Sequence, residues 1–198
     1  MKRVLVLTLG LLALGLAGLR PSTTVAAQGP WTTLFDAKNG LKGWDVVGDA
    51  NWAVVDGNLQ ASQGSAAGYL VTPIAYGDFQ ITLDFWVTPD ANSGVFIRCT
   101  DPKMISAMNA YEVNIFDMRP DQTYRTGAIV NVAKPTRVVD TGNKWSSFDI
   151  TAKGSKMTVK IDGATIAEGE DAAHPRGAIA LQWGAGTVKF KNVRIRTL

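Results

Sequence analysis

Hydrophobic and polar residues alternate in short runs from Trp31 to the end of the chain. The longest run is Phe79–Val87, in which the apolar residues Phe79, Ile81, Leu83, Phe85 and Val87 are separated by Gln80, Thr82, Asp84 and Trp86. A period of two residues is typical of a β-strand that buries one face. The sequence therefore predicts a strand over this whole run, with its odd-numbered residues in a core.

Comparable runs follow one another along the chain, separated by clusters of Gly, Asn and Asp. Asp56-Gly57-Asn58 and Asp162-Gly163 are strong signals for tight hairpins. Gly127–Val132 is a further predicted strand, and Thr187–Arg196 is the last one, with a bulge at Lys191-Asn192. About a dozen short strands without a helical period longer than a turn or two predict an all-β, two-sheet sandwich.

The stretch from Asn92 to Asp117 combines strand-forming residues with charges that a purely structural strand would not carry. Val95 and Ile97 share one face of the first strand, so Arg98 falls on the opposite face with Phe96. In the second strand, Glu112 and Asn114 alternate with apolar residues. If both strands lie in one sheet, Arg98, Glu112 and Asn114 project from the same surface, which is the candidate site.

The N-terminal segment has the pattern of a secretion signal. Lys2 and Arg3 precede an apolar run, Val4–Leu19, and Val25-Ala26-Ala27 offers small residues for cleavage before Gln28. The run has 16 residues, fewer than the roughly 20 that span a bilayer. We therefore predict a signal peptide over residues 1–27, a single domain over 28–198, no stable membrane anchor, and a secreted or periplasmic location.

Loss of the signal would change the charge of the chain. The full chain has 20 basic and 17 acidic residues, and Lys2, Arg3 and Arg20 would leave with the signal, giving a neutral mature chain. A neutral chain gives no electrostatic reason to expect nucleic acid or anionic lipid as a partner. The single cysteine, Cys99, excludes an internal disulfide, and we expect a packed side chain there. The sequence does not specify an oligomeric state.

No metal site or cofactor site is predicted. The only histidine, His174, lies in a turn signature and has no second histidine with which to form a metal pair. Asp36, Asp45 and Asp49 are loop carboxylates, but their spacing matches no calcium-binding pattern. We therefore expect no cofactor and no metal at the site, with a structural calcium ion left open.

The order of several motifs resembles the bacterial 3-keto-disaccharide hydrolase family over nearly all of the mature chain. The matching segments are Leu34-Phe35-Asp36 with Leu41–Trp44, Trp52–Leu59, Asp78-Phe79, Asn92–Arg98, Tyr111–Asp117, Gly177–Gln182 and Val188–Ile195. Two positions depart from the family's pattern: Asn114 stands where Gln is usual, and Trp145-Ser146-Ser147 stands where Trp-Asn is usual. The resemblance implies a concanavalin A-like jelly roll, an exported protein and a carbohydrate substrate.

A 3-keto sugar has an acidic hydrogen at C2, so its glycosidic bond can be cleaved by elimination and hydration. This route needs a base, a cation for the enolate oxygen and an acid for the leaving oxygen. Glu112 is the candidate base, Arg98 the candidate cation, and Asp117 a group that orients a donor, binds hydroxyls or serves as the acid. The residues expected to contact substrate are Asn92, Tyr111, Asn114, Gln182 and Trp183.

Two other functions and several structural roles compete with this hypothesis. A conventional jelly-roll glycosidase would pair two carboxyls, but a straight strand puts Glu112 and Asp117 on opposite faces, roughly 16 Å apart, against the roughly 5–10 Å that such a pair needs. A non-catalytic sugar-binding module would suit the six tryptophans equally well. Arg98 and Glu112 could form a cross-strand ion pair, Asp117 could be a turn residue, and Gln182 and Trp183 could pack a hairpin.

Overall fold

Residues 28–198, as described by a computed structural model, form two antiparallel β-sheets that pack face to face. This architecture confirms the predicted jelly-roll sandwich. Residues 1–27, for which the sequence predicts a secretion signal, lie outside the described residues. From residue 28 onward, no helix is long and apolar enough to cross a membrane, and the one helix present there is a 3₁₀ turn over Gln122–Tyr124.

The larger sheet has eight strands. They are β1 (Thr32–Thr33), β3 (Ala53–Val55), β4 (Asn58–Ala61), β6 (Phe79–Val87), β9 (Trp145–Lys153), β10 (Lys156–Ile161), β11 (Ala164–Glu170) and β13 (Val188–Thr197). Their order is β11-β10-β9-β6-β13-β4-β3, and β1 pairs with the C-terminal part of β13. Both tight hairpins predicted from Asp-Gly signals are present, between β3 and β4 and between β10 and β11.

The smaller sheet has five strands. They are β2 (Asp45–Val47), β5 (Gly68–Val71), β7 (Asn92–Cys99), β8 (Tyr111–Ile115) and β12 (Ala178–Ala185), in the order β2-β5-β12-β7-β8. The two strands of the central stretch, β7 and β8, are therefore neighbours, as the candidate site requires.

The core lies between the sheets and follows from the alternation along each strand. In β6 every odd-numbered residue is at most 2% exposed, and every even-numbered one is half-buried, as predicted. Phe85 stacks on Phe148 from β9 with ring centroids 4.6 Å apart. Burial of each such apolar side chain contributes about 1.5–3 kcal/mol, so this layer fixes the spacing of the two sheets.

The smaller sheet also buries much of its outer face. A second apolar cluster there contains Tyr69, Val71, Phe96, Cys99, Ala110, Ala178 and Ala180, with Val47 and Ile105 packed against it. Ile105 belongs to the β7–β8 loop, which is closed by hydrogen bonds from the Thr100 amide and hydroxyl to the Asn109 carbonyl, 2.9 and 3.0 Å. Polar groups on this face therefore lie in a partly desolvated surface.

The predicted strand over Gly127–Val132 is wrong, although the segment does flank the candidate site. Ile129 forms only isolated bridges, to Val113 and to Ala133. The Val130 amide donates to the Glu112 carbonyl at 2.9 Å, and the Asn114 amide donates to the Ala128 carbonyl at 3.0 Å. The segment turns back on itself after Ile129, so it covers the edge of β8 without extending the sheet.

Two β-bulges, each with a non-glycine residue in the left-handed region, interrupt the two-residue period. One lies in β7, where Arg98 has φ 55°, and the other in β13, where Asn192 has φ 52°. The β13 bulge confirms the one predicted from Lys191-Asn192. It keeps Val193 and Ile195 in the core beside Phe190. The β7 bulge was not predicted, and it alters the candidate site.

We predict that Gly177→Ala destabilises the protein by about 1–3 kcal/mol or more. A methyl group at Gly177 would overlap the backbone of Arg98 and Cys99 at the β7 bulge, and backbone cannot rotate away as a side chain can. The measurement is urea unfolding followed by tryptophan fluorescence. The control is Gly77→Ala, whose methyl would have its nearest neighbour, the Pro175 carbonyl oxygen, at 3.9 Å. Equal stability of the two variants would contradict the prediction.

Candidate active site on the outer face of the smaller sheet

Glu112 and Asn114 project from the outer face of the smaller sheet, as the alternation along β8 predicted. The strand register places them beside the outward-facing residues of β7: Glu112 lies opposite Phe96, and Asn114 lies opposite Gly94. Gly94 in turn lies opposite Gln182, and Gln182 lies opposite Tyr69. The residues Tyr69, Gln182, Gly94 and Asn114 thus form a row across four strands, with Glu112 next to it.

Gly94 leaves a narrow gap in this row. A methyl group there would lie 3.1 Å from the Val113 carbonyl oxygen and 3.5 Å from both Glu112 Cγ and Gln182 Oε1. Because glycine has no side chain, the Glu112 side chain and the Gln182 amide lie on either side of this gap, which is about one methyl group wide.

Two buried acceptors beside this gap have no hydrogen-bond partner among residues 28–198. They are Asn114 Oδ1 and Gln182 Oε1, on side chains that are 3% and 7% exposed. The other end of the Asn114 amide is held, since its Nδ2 donates to the Tyr124 carbonyl. A buried acceptor without a partner costs about 1–3 kcal/mol. Both oxygens are closed to solvent, so the hydroxyl groups of a ligand would reach them only after a neighbouring side chain moves.

The Glu112 carboxyl has an unusual environment. Burial raises its pKa from 4.5 to about 7, and the positive charge of Arg119 offsets only part of that effect. Within residues 28–198 no salt bridge forms at this carboxylate. A carboxyl with a pKa near neutrality is half-ionised at physiological pH, so it can both take up and release a proton.

Sequence reasoning missed three residues of this site. Arg119 lies in the loop after β8, with its guanidinium 5.7 Å from the Phe116 ring and 5.9 Å from the Tyr124 ring, and loop position gave no signal for it. Tyr69 and Phe96 pack edge to face with centroids 5.6 Å apart. Burial, followed by the negative charge of Glu112, raises the pKa of the Tyr69 phenol, and the nearby Gln182 side chain opposes the shift. Of these residues, Phe96 could have been found from the sequence, because the alternation along its strand places it on the same face as Glu112.

The prediction that Arg98 projects beside Glu112 is wrong. The bulge and left-handed backbone at Arg98 turn its side chain toward the end of the sandwich, where it is fully buried. Its guanidinium donates to the carbonyls of Gly77 (3.0 Å), Gly154 (2.7 Å) and His174 (3.4 Å), and it pairs with Asp78 at 3.1 Å. Arg98 therefore joins β7 to turns of the larger sheet. The alternative of an ion pair with Glu112 is wrong for the same reason.

Asp117 is a buried acceptor for the loops beside β8. Its carboxylate accepts from the Thr126 hydroxyl (2.5 Å), from the Thr141 amide and hydroxyl (2.5 and 3.0 Å) and from the Gly142 amide (2.9 Å). Both oxygens of the Asp117 carboxylate therefore accept hydrogen bonds from groups of the protein itself. The arrangement favours the structural role over that of a catalytic acid, and it removes the second carboxyl that a conventional glycosidase would require.

The predicted substrate-contacting residues divide between the two faces of the sheet. Asn92 is in phase with Gly94 on β7, and it is half-buried. Tyr111 and Trp183 belong to the core instead. The Tyr111 hydroxyl donates to Asp171 at 2.6 Å, and the Trp183 indole donates to the Gly186 carbonyl at 2.8 Å, closing its hairpin. The structure therefore keeps Asn92, Asn114 and Gln182 at the site and places Tyr111 and Trp183 away from it.

Cys99 packs in the outer apolar cluster, as expected for a structural thiol. Burial raises its pKa to about 12, so it remains protonated. In the part of the chain that the structure describes, no three His, Cys, Asp or Glu side chains are grouped so that they would hold a metal ion.

Comparison with known families shows which family the chain belongs to. Residues 30–196 match the family described as the 3-keto-alpha-glucoside-1,2-lyase-like domain. The chain belongs to this family. A search of curated proteins gave no significant match. This assignment confirms the resemblance found in the sequence motifs. The match covers nearly all of the residues that the structure describes.

Solved structures share the fold. A proposed glycosyl hydrolase from Parabacteroides distasonis has 26% identity and a TM-score of 0.71, with 85% of this chain and 100% of that chain covered. A second one from the same organism has 22% identity and a TM-score of 0.75, with 86% and 94% covered. A carbohydrate-binding module from Bacillus subtilis has 19% identity and a TM-score of 0.59, with 76% and 93% covered. These structures show that the chain has a jelly-roll fold shared with proposed glycosyl hydrolases and with a carbohydrate-binding module.

We predict that Arg98→Lys lowers the free energy of unfolding by about 1–3 kcal/mol. Lysine keeps the charge but cannot reach Gly77, Gly154 and Asp78 together, so the fully buried Arg98 position loses hydrogen bonds that tie β7 to these turns. The measurement is the melting temperature and the urea midpoint. The control is Arg176→Lys, an exposed arginine whose single hydrogen bond reaches the Ala75 carbonyl at 3.2 Å. A wild-type melting temperature for Arg98→Lys would refute the structural role.

We predict that Glu112→Gln becomes more stable than the wild type as pH rises. Below pH 4.5 the carboxyl is protonated in both folded and unfolded chains, and the difference is constant. Between pH 4.5 and about 7 only the unfolded chain loses the proton, because burial raises the folded-state pKa. The wild type therefore loses up to about 3 kcal/mol relative to Glu112→Gln across this window.

Urea unfolding of both proteins at several pH values between 4 and 8 measures this difference. Glu168→Gln, which removes an exposed carboxyl from the larger sheet, provides the background. A difference between the wild type and Glu112→Gln that does not change with pH would show that the carboxyl is not desolvated.

Proposed function

We propose that this lyase-like domain is an exported hydrolase that cleaves the glycosidic bond of 3-keto sugars by elimination followed by hydration, at the Glu112 face. The observation that carries the proposal is the desolvated Glu112 carboxyl, with a pKa of about 7, beside the Asn114 and Gln182 amides on the outer face of the smaller sheet. Family membership and the glycosyl hydrolase-like neighbours support the substrate class.

In the first half of the reaction Glu112 removes the proton from C2 of the sugar. The C–H electrons form a C2–C3 double bond, and the C3 carbonyl becomes an enolate oxygen. Collapse of the enolate restores the carbonyl and expels the C1 oxygen substituent, which leaves a C1–C2 double bond. The leaving oxygen takes a proton from a donor group on the same face. In the second half the water oxygen bonds to C1, its released proton returns to that donor, and C2 regains a proton from Glu112. The net change is hydrolysis, and the base is regenerated.

A base for this step has to be ionised at working pH and yet strong enough to remove a carbon-bound proton. An ordinary glutamate with a pKa of 4.5 meets only the first condition. Burial makes Glu112 a stronger base and still leaves about half of it ionised near pH 7, and a base is most effective when its pKa lies near the working pH.

The other groups on this face suit the remaining roles. Arg119 takes the place that the sequence suggested for Arg98, since its positive charge acts on Glu112 and would also stabilise an enolate nearby. Tyr69, whose raised pKa keeps its phenol protonated, replaces Asp117 as the donor to the leaving oxygen. Asn114 Oδ1 and Gln182 Oε1 accept from sugar hydroxyls, and Asn92 lies at the end of the same face.

Export follows from the predicted signal over residues 1–27, which would place the enzyme in the periplasm or outside the cell. Its substrate would be an oligosaccharide or glycoside already oxidised at C3, because an unoxidised glucoside lacks the acidic C2 hydrogen on which the mechanism depends. The leaving group and the identity of the second sugar are not specified by the Glu112 face.

We predict that Glu112→Gln reduces kcat for a 3-keto glucoside by about 10²–10⁴-fold, the usual contribution of a general base. In the wild type, kcat/KM should rise with pH through about 7 as Glu112 ionises in the free enzyme. The measurements are initial rates from pH 5 to 9 and substrate affinity by calorimetry, on proteins whose melting temperatures have been recorded.

Glu168→Gln is the matched control, and the unoxidised glucoside is the substrate control. Full activity of folded Glu112→Gln would exclude the catalytic role. Binding of sugars without any turnover by the wild type would favour the carbohydrate-binding alternative. Cleavage of the unoxidised glucoside at a similar rate would favour a conventional glycosidase.

A further inference from the structure

We propose that the outer face of the larger sheet, on the opposite side of the sandwich from Glu112, binds an acidic polysaccharide. The binding element is a basic stripe on β13, defined as Lys189, Lys191, Arg194 and Arg196. This proposal does not depend on the chemistry at Glu112.

The bulge at Asn192 creates the stripe. In a straight strand Lys189 and Lys191 would face one side, and Arg194 and Arg196 the other. The extra residue shifts the register between Lys191 and Arg194, so all four charges project outward while Val193 and Ile195 stay in the core. The resulting row of cations extends over about 20 Å.

Tryptophans hold these cations in place. The Lys189 ammonium lies 4.8 Å from the Trp86 ring centroid, and the Lys191 ammonium lies 3.8 Å from that of Trp145. The guanidiniums of Arg194 and Arg196 lie 5.3 and 4.8 Å from the Trp31 ring. Long basic side chains normally lose rotamer freedom when they bind. Here the aromatic rings already restrict them, which lowers that cost.

The cations of the stripe are not taken up in ion pairs. Within residues 28–198, none of its four members takes part in a salt bridge. Two carboxylates lie beside the stripe, each with a hydrogen bond from an amide side chain: Asp84 accepts from Asn192 at 2.6 Å, and Asp149 accepts from Gln80 at 2.7 Å. Glu168 and Glu170 lie further away on the same face, on β11. The four cations of the stripe thus outnumber the two carboxylates beside it. Charge complementarity therefore favours an anionic occupant.

The surroundings of the stripe favour a sugar polymer over other anions. A hollow of about 600 Å³ beside it is lined by Thr82, Asp84, Ser147, Asp149, Asn192 and Arg194. Hydroxyl, amide and carboxylate groups are suitable partners for sugar hydroxyls, which a polysaccharide presents on every residue and which single-stranded DNA largely lacks. We infer a polymer of uronic acids, or one that carries sulfate groups, lying along β13.

Affinity electrophoresis and calorimetry with polygalacturonate test the proposal, with dextran as the neutral polymer. The wild type should bind polygalacturonate and not dextran. Lys189→Gln/Lys191→Gln should weaken that binding roughly tenfold or more, in a salt-dependent manner. The matched control is Lys153→Gln/Lys156→Gln, which removes the same charge from exposed residues at the β9–β10 turn and should change binding less than about threefold.

Three results would overturn the proposal. They are no binding of polygalacturonate by the wild type, equal weakening by the two double variants, or equal or tighter binding of single-stranded DNA or anionic lipid vesicles. Melting temperatures establish that each variant is folded. If Lys189→Gln/Lys191→Gln does not fold, Arg194→Gln, a single change at an exposed residue of the stripe, replaces it in the binding measurement. Turnover of a soluble 3-keto glucoside should be the same in all these variants, so a failure here is separable from a failure at Glu112.

Discussion

Two β-bulges determine which charged side chains meet in this molecule. In a strand, a shift of one residue moves every following side chain to the other face. The bulge at Arg98 removes a cation from the Glu112 face and places it at the end of the sandwich, and the bulge at Asn192 gathers four cations on the face of the larger sheet. Both depend on a residue held in the left-handed region, which few side chains adopt readily.

The alternation of residues made most of the fold predictable. Strand β6 has the predicted bounds, because burial of one face dictates a period of two. The same argument placed Glu112 and Asn114 on one face correctly. It failed for Arg98, since no sequence pattern distinguishes a bulge at Arg98 from a regular strand. It also could not find Arg119 or the donors to Asp117, because loops bring these together from distant parts of the chain.

Neighbouring groups determine both the pKa of Glu112 and the stability of the protein around it. The pKa of Glu112 depends on the apolar cluster of the smaller sheet and on the segment that covers the edge of β8. The unpaired oxygens of Asn114 and Gln182 lower the stability of the empty protein, and a ligand with hydroxyl groups would remove that penalty. Stability and ligand recognition are therefore linked at the same few atoms.

The Arg98 contacts also have a kinetic consequence. The guanidinium donates hydrogen bonds to the carbonyls of Gly154 and His174, which are 56 and 76 positions away in the sequence. These hydrogen bonds therefore form only when both sheets and their turns are already assembled. Contacts that form after the folding transition state slow unfolding more than they accelerate folding. We therefore expect Arg98 to extend the lifetime of the folded protein.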